Sequence, residues 1–369
     1  MRRLLLVALL LWPSPAATQA RAGDTTFART VAALSEPGGF FFSDNLVSNE
    51  TSYLHVVPGL TRLVRRGGAY LGVGPEQNFS YIARTEPSVA FIVDIRRDNL
   101  LLHLFLKAVF ERAETRLEYL CLLYARRCPT ELESWRNRSI DDLVRYIDGQ
   151  PADSAWHRES ETDLFAVVET FGVEVSDDEL NTLRRLHAEF VDQGLDLQFS
   201  SYGRRAPTVF PTVRELYLER DLSGTRQSFL ADHRAFSQVR RLQLADRIIP
   251  VVGDLGGEHA IRAIGRWLGD RKVPLSVFYL SNVEFYLLRQ GTFGRFVENV
   301  RSLPTGPGSA LVRSYFSVQT GMTHPEQRPG HLSVQLLQRV DRFLDVVARP
   351  DSLSYWRLLT EANEPLGKS

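Results

Sequence analysis

The segment from Ala69 to Arg97 constrains the fold most, because a short apolar run, a glycine turn, a helical stretch and a second apolar run follow one another. The first run ends in a pair of glycines, and the second, Val89 to Ile95, is followed by charged residues. Short apolar runs of this kind are typical of buried parallel strands. Between them, Gln77 to Arg84 has room for about two helical turns. The segment therefore predicts one βαβ unit.

The glycine turn of this unit has the features of a ligand site. Gly72 and Gly74 are two of the three glycines of a dinucleotide-binding fingerprint, and Glu76 stands where the third would be. Such a turn brings backbone N–H groups and the positive end of a helix dipole towards a bound anion. Asp94 lies 22 residues after Gly72, where such folds place a carboxylate for ribose hydroxyls. The alternative is a tight turn followed by a solvated aspartate.

The alternation of strand and helix resumes late in the chain. Ile248 to Gly253, Leu275 to Leu280 and Ala310 to Ser317 are expected to be the third, fourth and fifth strands. This order predicts an α/β fold with a mostly parallel sheet and helices on both faces. Ligands bind beyond the carboxyl ends of the strands in such sheets. We therefore expect the residues at the strand ends to line one crevice. They are Gly72 to Glu76, Asp94, Asp254 and Ser281 to Glu284.

The middle of the chain has a different pattern, rich in charges and helix signals. Residues 128–225 are expected to form a helical insertion between strands two and three. Ser139, Ser160 and Ser176 are predicted N-caps, and Ser176 begins a capping box whose helix stops at Gly194. The position of this insertion between strands two and three is typical of a cap that faces the substrate. A spacer without chemistry is the alternative.

The N-terminus has the pattern of a secretory signal peptide. Two arginines precede nine apolar residues, Leu4 to Trp12, and small residues suitable for cleavage follow. Nine apolar residues are too few to span a bilayer, which needs roughly 20. We therefore expect an exported protein, periplasmic or secreted, without stable membrane insertion. The 44 basic and 44 acidic residues cancel, which gives no general attraction to nucleic acid.

Two other features leave alternatives open. Cys121 and Cys128 would lie about 10 Å apart on one helix, too far for a disulfide, unless Pro129 ends the helix early and Cys128 folds back. A structural or unpaired thiol pair is favoured over a redox site. Phe40 to Phe42 would form either a lid over the ligand mouth or an aromatic cluster packed under the sheet.

Three segments of the chain and several strand-end residues carry a resemblance to known families. The segments are SFLADHRAFSQVRRLQ, IIPVVGDLGG and FYLSNVEFYL, which begin at residues 228, 248 and 278. The acidic residue after strand two, the Gly-Asp after strand three and the polar turn running into aromatics after strand four resemble class I S-adenosylmethionine-dependent methyltransferases. More closely, the three segments together resemble an uncharacterised bacterial family with this fold, over about Ser35 to Gln319. The resemblance implies a Rossmann-like methyltransferase-type sheet.

The residue patterns together with the resemblance divide the chain into five parts. Residues 1–22 would be the signal peptide, and 321–369 a C-terminal loop with a helix over 332–347. Between these parts, residues 23–127 and 226–320 would form the two parts of the Rossmann-like domain, separated by the insertion 128–225.

The resemblance also assigns roles to individual residues. Gly72 and Gly74 would approach the methionyl part of S-adenosylmethionine, with Glu76 in place of the third glycine. Asp94 would accept hydrogen bonds from both ribose hydroxyls, and Asp254 would lie near the adenine amino group.

The acceptor side of the site would follow strand four. Ser281, Asn282 and Tyr286 occupy the place of an Asp/Asn-Pro-Pro-Tyr turn, although this chain has Ser-Asn-Val-Glu there. Glu284 is a candidate base by its position alone. The alternative role of Ser281 and Asn282 is to cap the following helix.

Two functions from different classes remain. In the first, the protein transfers a methyl group from S-adenosylmethionine to an unknown small molecule or protein acceptor. Export conflicts with this function because S-adenosylmethionine is made and used in the cytoplasm. In the second, the protein is an exported noncatalytic binding module that keeps the fold. The fold by itself does not choose between them.

Overall fold

A six-stranded sheet forms the centre of the protein. The computed structural model describes residues 25–43, 45–201, 210–349 and 354–366. The strands are β1 Ala69–Val73, β2 Val89–Asp94, β3 Ile248–Val252, β4 Leu275–Ser281, β5 Thr305–Phe316 and β6 Ser333–Arg339. Their order across the sheet is β3-β2-β1-β4-β5-β6. The first five run parallel, and β6 pairs antiparallel with β5. The predicted mostly parallel α/β fold is confirmed.

Helices flank this sheet. In chain order they are α1 Thr26–Leu34, α2 Val57–Leu63, α3 Asn78–Thr85, α4 Arg97–Arg112, α5 Arg116–Leu123, α6 Ile140–Gly149, α7 Ser154–Thr170, α8 Asp177–Gln193, α9 Val213–Leu218, α10 His233–Leu244, α11 Ala260–Asp270, α12 Val283–Gln290, α13 Phe293–Ser302, α14 Ser317–Thr320, α15 Val340–Val347 and α16 Tyr355–Thr360. Helices α4 to α10 all lie between β2 and β3 in the chain. Every residue of β1, β2 and β3 is buried, as expected for strands covered on both faces.

Two of the three predicted serine caps are confirmed. Ser139 and Ser176 cap α6 and α8, each within a capping box, and α8 ends at Gly194 as predicted. Ser160 is wrong as a cap because it lies inside α7, where its hydroxyl donates to the carbonyl of Trp156. The side chain of Asp153 caps that helix.

The C-terminal part differs from its prediction. The expected helix over 332–347 is wrong in its first half, where β6 pairs with β5. The side chains of Gln335 and Gln338 are buried in this strand and hydrogen-bond to Glu50 and Arg313, respectively. The two glutamines are three residues apart, as on the polar face of a helix, although both are buried in the strand. The spacing of polar and apolar residues therefore predicts a helix where a strand forms.

The two cysteines form a disulfide, contrary to the separation expected on a single helix. Helix α5 ends at Leu123, and Ala125 has a φ of 49°, which turns the chain back. The Cα atoms of Cys121 and Cys128 are 5.8 Å apart, within the usual range for a disulfide. The alternative in which Cys128 folds back is therefore the correct one.

No helix in the described part of the chain combines the length and the apolar content needed to cross a lipid bilayer. The predicted signal peptide, residues 1–22, lies outside the described residues.

Candidate functional site

A cavity of about 320 Å³ lies beyond the carboxyl ends of β1 to β4. Its wall includes one predicted residue after or at the end of each of these strands: Gly74, Asp94, Asp254 and Ser281. Strands β1 and β4 are neighbours, with β2 and β3 on one side and β5 on the other. The strand order reverses between β1 and β4, which is where ligands bind in open α/β sheets. The structure thus joins four of the predicted strand-end positions in one cavity.

Asp94 is a nearly buried carboxylate on the cavity wall. One oxygen accepts a hydrogen bond of 2.9 Å from the backbone N–H of Arg96. The other lies 3.4 Å from the side-chain amide of Asn45, which is a long contact. Burial raises the pKa of Asp94 above its ordinary value. The second oxygen therefore retains capacity to accept hydrogen bonds from a ligand.

The two glycines after β1 have different roles. Gly74 lines the cavity, has a φ of +83°, and has open space where a Cβ would be. Gly72 lies outside the described wall, and a Cβ there would come within 2.1 Å of the side-chain oxygen of Asn78. The Asn78 amide donates to the carbonyls of Val73 and Pro75. Gly72 therefore makes room for the side chain that holds the turn, whereas Gly74 borders the open space.

Glu76 points away from the cavity into a cluster of tyrosines. Its carboxyl group accepts hydrogen bonds from the hydroxyl of Tyr217 at 2.9 Å and that of Tyr119 at 3.3 Å. Burial raises the pKa of Glu76 from 4.5 to about 7, against the opposing effect of these hydrogen bonds. The structure therefore places Glu76 among residues of the protein interior rather than among the predicted cofactor ligands.

The raised pKa of Glu76 predicts a pH-dependent stability. Between pH 4.5 and about 7 the unfolded carboxyl group releases its proton while the folded one keeps it, so the free energy of unfolding falls as pH rises. The full loss is about 3 kcal/mol. Glu76→Gln is expected to remove this fall and to be the more stable form at pH 8. Urea unfolding from pH 4.5 to 8 measures both proteins.

The matched control for Glu76 is Glu159→Gln, because Glu159 is exposed on α7. This control should show the same pH profile as the unchanged protein. If the free energy of unfolding of Glu76→Gln fell with rising pH as much as that of the unchanged protein, Glu76 would not be the source of the pH dependence.

Asp254 lies on the cavity wall after β3, where the backbone is held by hydrogen bonds. Its side chain accepts from the N–H of Gly256 at 2.8 Å, and its own N–H donates to Glu36 at 2.7 Å. The carboxylate of Glu36 also accepts from the N–H of His259, next to the start of α11. Glu36 thus orients the turn that presents Asp254, and sequence analysis did not identify it.

Ser281, Asn282 and Tyr286 all line the cavity where β4 passes into α12. Ser281 has a φ of 50°, and such strained residues concentrate at functional sites. Asn282 is the N-cap residue of α12 but its side chain makes no capping hydrogen bond. The hydroxyl of Ser281 donates to Glu50 at 2.6 Å. The alternative capping role therefore describes neither side chain in this structure.

Glu284, the candidate base, is not among the cavity residues. Its carboxylate pairs with the guanidinium of Arg313 at 2.7 and 3.2 Å. Both side chains are almost fully buried, and Gln338 accepts a further hydrogen bond from Arg313. The negative charge of Glu284 is therefore balanced by Arg313 in the protein interior and is not presented to the cavity.

Glu50 is a cavity residue that sequence analysis missed. Its buried carboxylate accepts four hydrogen bonds of 2.6 to 2.8 Å, and the donors are Gln77, Tyr279, Ser281 and Gln335. These donors come from distant parts of the chain, so no local motif signals the cluster. The carboxylate holds together the end of β4, the start of β6 and the start of α3 at the cavity wall.

Three phenylalanines lie at the mouth of the cavity. Phe41 and Phe42 pack against the ring of Tyr286, with ring centroids 5.5 and 6.0 Å away. Phe40 also lines the cavity and is 78% exposed. This position agrees with the lid alternative and not with an aromatic cluster packed under the sheet.

The cavity wall is acidic. Among the described residues, it carries the carboxylates of Glu50, Asp94 and Asp254 and no lysine, arginine or histidine. Opposite charges attract more strongly in a partly enclosed site than in water. The wall therefore favours a ligand with positive charge and gives no cationic partner to a phosphate group.

The chain matches the family model described as "Domain of unknown function (DUF7790)" over residues 46–133 and 143–363. The protein belongs to this family. The match includes Glu50, Asp94, Asp254 and Ser281, whereas Phe40 to Phe42 precede it. No curated protein matches the chain.

Proposed function

We propose that the cavity binds S-adenosylmethionine and that the protein transfers the methyl group to an acceptor. The proposal includes a Rossmann-like methyltransferase-type fold, in which residues 128–225 are a helical insertion. The strand order β3-β2-β1-β4-β5 supports it because doubly wound nucleotide-binding sheets have this order. The acceptor, a small molecule or a protein side chain, would reach the cavity past Ser281 and Tyr286.

The residues of the cavity fit the parts of S-adenosylmethionine. Asp94 has a carboxylate oxygen available for ribose hydroxyls. Val73, Val93 and Leu255 provide apolar wall on which an adenine ring can pack. Gly74 leaves open space for close approach of a ligand. A volume of about 320 Å³ lies at the lower end of the usual range for ligand sites.

The observation that carries the proposal is the acidic wall without basic residues. S-Adenosylmethionine has a positively charged sulfonium and an ammonium group, which Glu50, Asp94 and Asp254 would attract. Dinucleotides carry phosphates, for which the described wall offers no cation. The charge thus favours this ligand over other nucleotides that bind similar folds.

The chain's own residues would bind and orient the reactants. The cofactor supplies an activated methyl group. Ser281 is held by its hydrogen bond to Glu50, which would keep the hydroxyl in place for an acceptor. Phe41 and Phe42, packed on Tyr286, would limit the access of water to the cavity. Orientation and exclusion of water are the contributions assigned to these residues.

Isothermal titration calorimetry of the purified protein tests the binding step. We expect saturable binding of S-adenosylmethionine with one site per chain, and much weaker binding of the phosphate-bearing dinucleotide NAD⁺. Absence of binding by S-adenosylmethionine, or tighter binding of NAD⁺, would contradict the proposal.

The disulfide favours a second candidate function, an exported noncatalytic binding module. Disulfides form and persist mainly in oxidising compartments, and Cys121 and Cys128 are bonded. The disulfide agrees with the expected signal peptide and with a location of the protein outside the cytoplasm, where S-adenosylmethionine is made and used. Mass spectrometry of the protein from its natural location would show whether residues 1–22 are removed. Methyl transfer to any acceptor would exclude this second function.

A further inference from the structure

A cluster of two histidines and one glutamate lies between α7 and α8, apart from the described cavity wall. His157 and Glu161 are one helical turn apart on α7, and His187 lies on α8. One oxygen of Glu161 is 3.7 Å from Nε2 of His157 and 3.8 Å from Nδ1 of His187. One ligand atom from each residue lies within 4.8 Å of the other two. Three metal-binding groups therefore converge on one point.

The two ring nitrogens that face this point lack hydrogen-bond partners. Both Nε2 of His157 and Nδ1 of His187 are buried, and neither has a partner among the described residues. Buried polar atoms without partners are rare in proteins because each lacks the hydrogen bond that water would provide. These two nitrogens, which lie near the Glu161 oxygen but beyond hydrogen-bond distance, are therefore the second observation that indicates a ligand at this point.

The surroundings of His187 favour a tautomer suited to metal binding. Its Nε2 lies 3.4 Å from the carbonyl oxygen of Leu122, which is a long hydrogen-bond contact. Donation of the Nε2 proton to this carbonyl leaves a lone pair on Nδ1, which faces the cluster. The other ring nitrogen of a metal-binding histidine commonly donates to a carbonyl in this way. The ring also packs on Phe105 of α4, with centroids 4.8 Å apart.

We propose that His157, Glu161 and His187 bind a divalent transition metal ion of the zinc type. Tetrahedral zinc with bonds near 2.0–2.1 Å places its ligand atoms about 3.3 Å apart. The separations from the Glu161 oxygen, 3.7 and 3.8 Å, are wider than this by roughly half an ångström, so metal binding would require rotation of the side chains toward one another. The side chains of His157 and Glu161 are about one quarter exposed, at 24% and 22%, and a water molecule that serves as the fourth ligand would enter from this side. The ion would join α7 to α8.

Metal titration of the purified full-length protein tests this site. After removal of metal with a chelator, one Zn²⁺ per chain is expected to bind, and Co²⁺ to give the visible absorption of tetrahedral coordination. His157→Gln should weaken Zn²⁺ binding by more than about 100-fold, since even loss of an outer-shell partner costs roughly 10–100-fold. His157 is preferred to the fully buried His187 because its replacement disturbs packing less.

The matched control is His259→Gln, because His259 is exposed and outside the cluster. It should bind Zn²⁺ as tightly as the unchanged protein, and circular dichroism should show that both variants are folded. A second group of possible ligands, His55, Glu219 and His331, provides a further comparison. Failure of the unchanged protein to bind Zn²⁺ would overturn the proposal. Loss of binding in His55→Gln with full binding in His157→Gln would do so as well.

Discussion

Replacement of Asp94 by asparagine is expected to weaken binding of S-adenosylmethionine about 100-fold. The proposed role of this carboxylate is to accept hydrogen bonds from the ribose hydroxyls, and a hydrogen bond to a charged group contributes about 1.5–3 kcal/mol. A loss of about 2.7 kcal/mol corresponds to 100-fold in the dissociation constant. Asparagine keeps one side-chain oxygen, which can still accept from the N–H of Arg96. Calorimetric titration of both proteins measures the change.

The matched control for Asp94 is Asp270→Asn, because Asp270 is exposed at the end of α11. It removes the same formal charge outside the cavity and should leave the affinity unchanged. Equal affinities for Asp94→Asn and the unchanged protein would show that Asp94 does not contact the ligand.

Replacement of Arg313 by methionine is expected to lower the free energy of unfolding by about 3–5 kcal/mol. Arg313 is fully buried and pairs with Glu284, whose side chain is 2% exposed. Methionine keeps much of the side-chain volume beside Phe343 but leaves the carboxylate of Glu284 without its counter-charge. An uncompensated buried charge is strongly destabilising. Urea unfolding at neutral pH measures the difference.

The double variant Arg313→Met with Glu284→Met separates the lost charge pairing from lost packing. It should be more stable than Arg313→Met alone, because no charge is then left buried. The exposed pair Arg301 and Glu298 provides the matched control. Arg301→Met there should lower stability by less than about 1 kcal/mol. A similarly small effect of Arg313→Met would contradict the assigned role of the buried pair.

Local patterns were sufficient to predict the first five strands and several helix boundaries, although β5 begins at Thr305, before the predicted start at Ala310. Buried apolar runs marked β1 to β4, and the capping box at Ser176 marked the start of α8. These signals depend on residues close together in the chain. The same local reasoning failed at β6, because the buried glutamines of this strand find partners only after the sheet has formed.

The candidate site was also predicted in part. Parallel strands end at one edge of a sheet, and this rule brought Gly74, Asp94 and Asp254 together correctly. The rule does not specify where each side chain points. Glu76 faces a tyrosine cluster and Glu284 faces Arg313, although both follow strands that border the cavity.

The sequence by itself determined the order of the first five strands and of the helices that capping signals mark, because apolar periodicity and capping act over a few residues. Only the tertiary structure decided the charge of the cavity, the disulfide and the histidine cluster between α7 and α8. Glu50 shows the reason most clearly, since its four hydrogen-bond donors are up to 285 residues away in the chain. A buried carboxylate needs such partners, and folding alone brings them together.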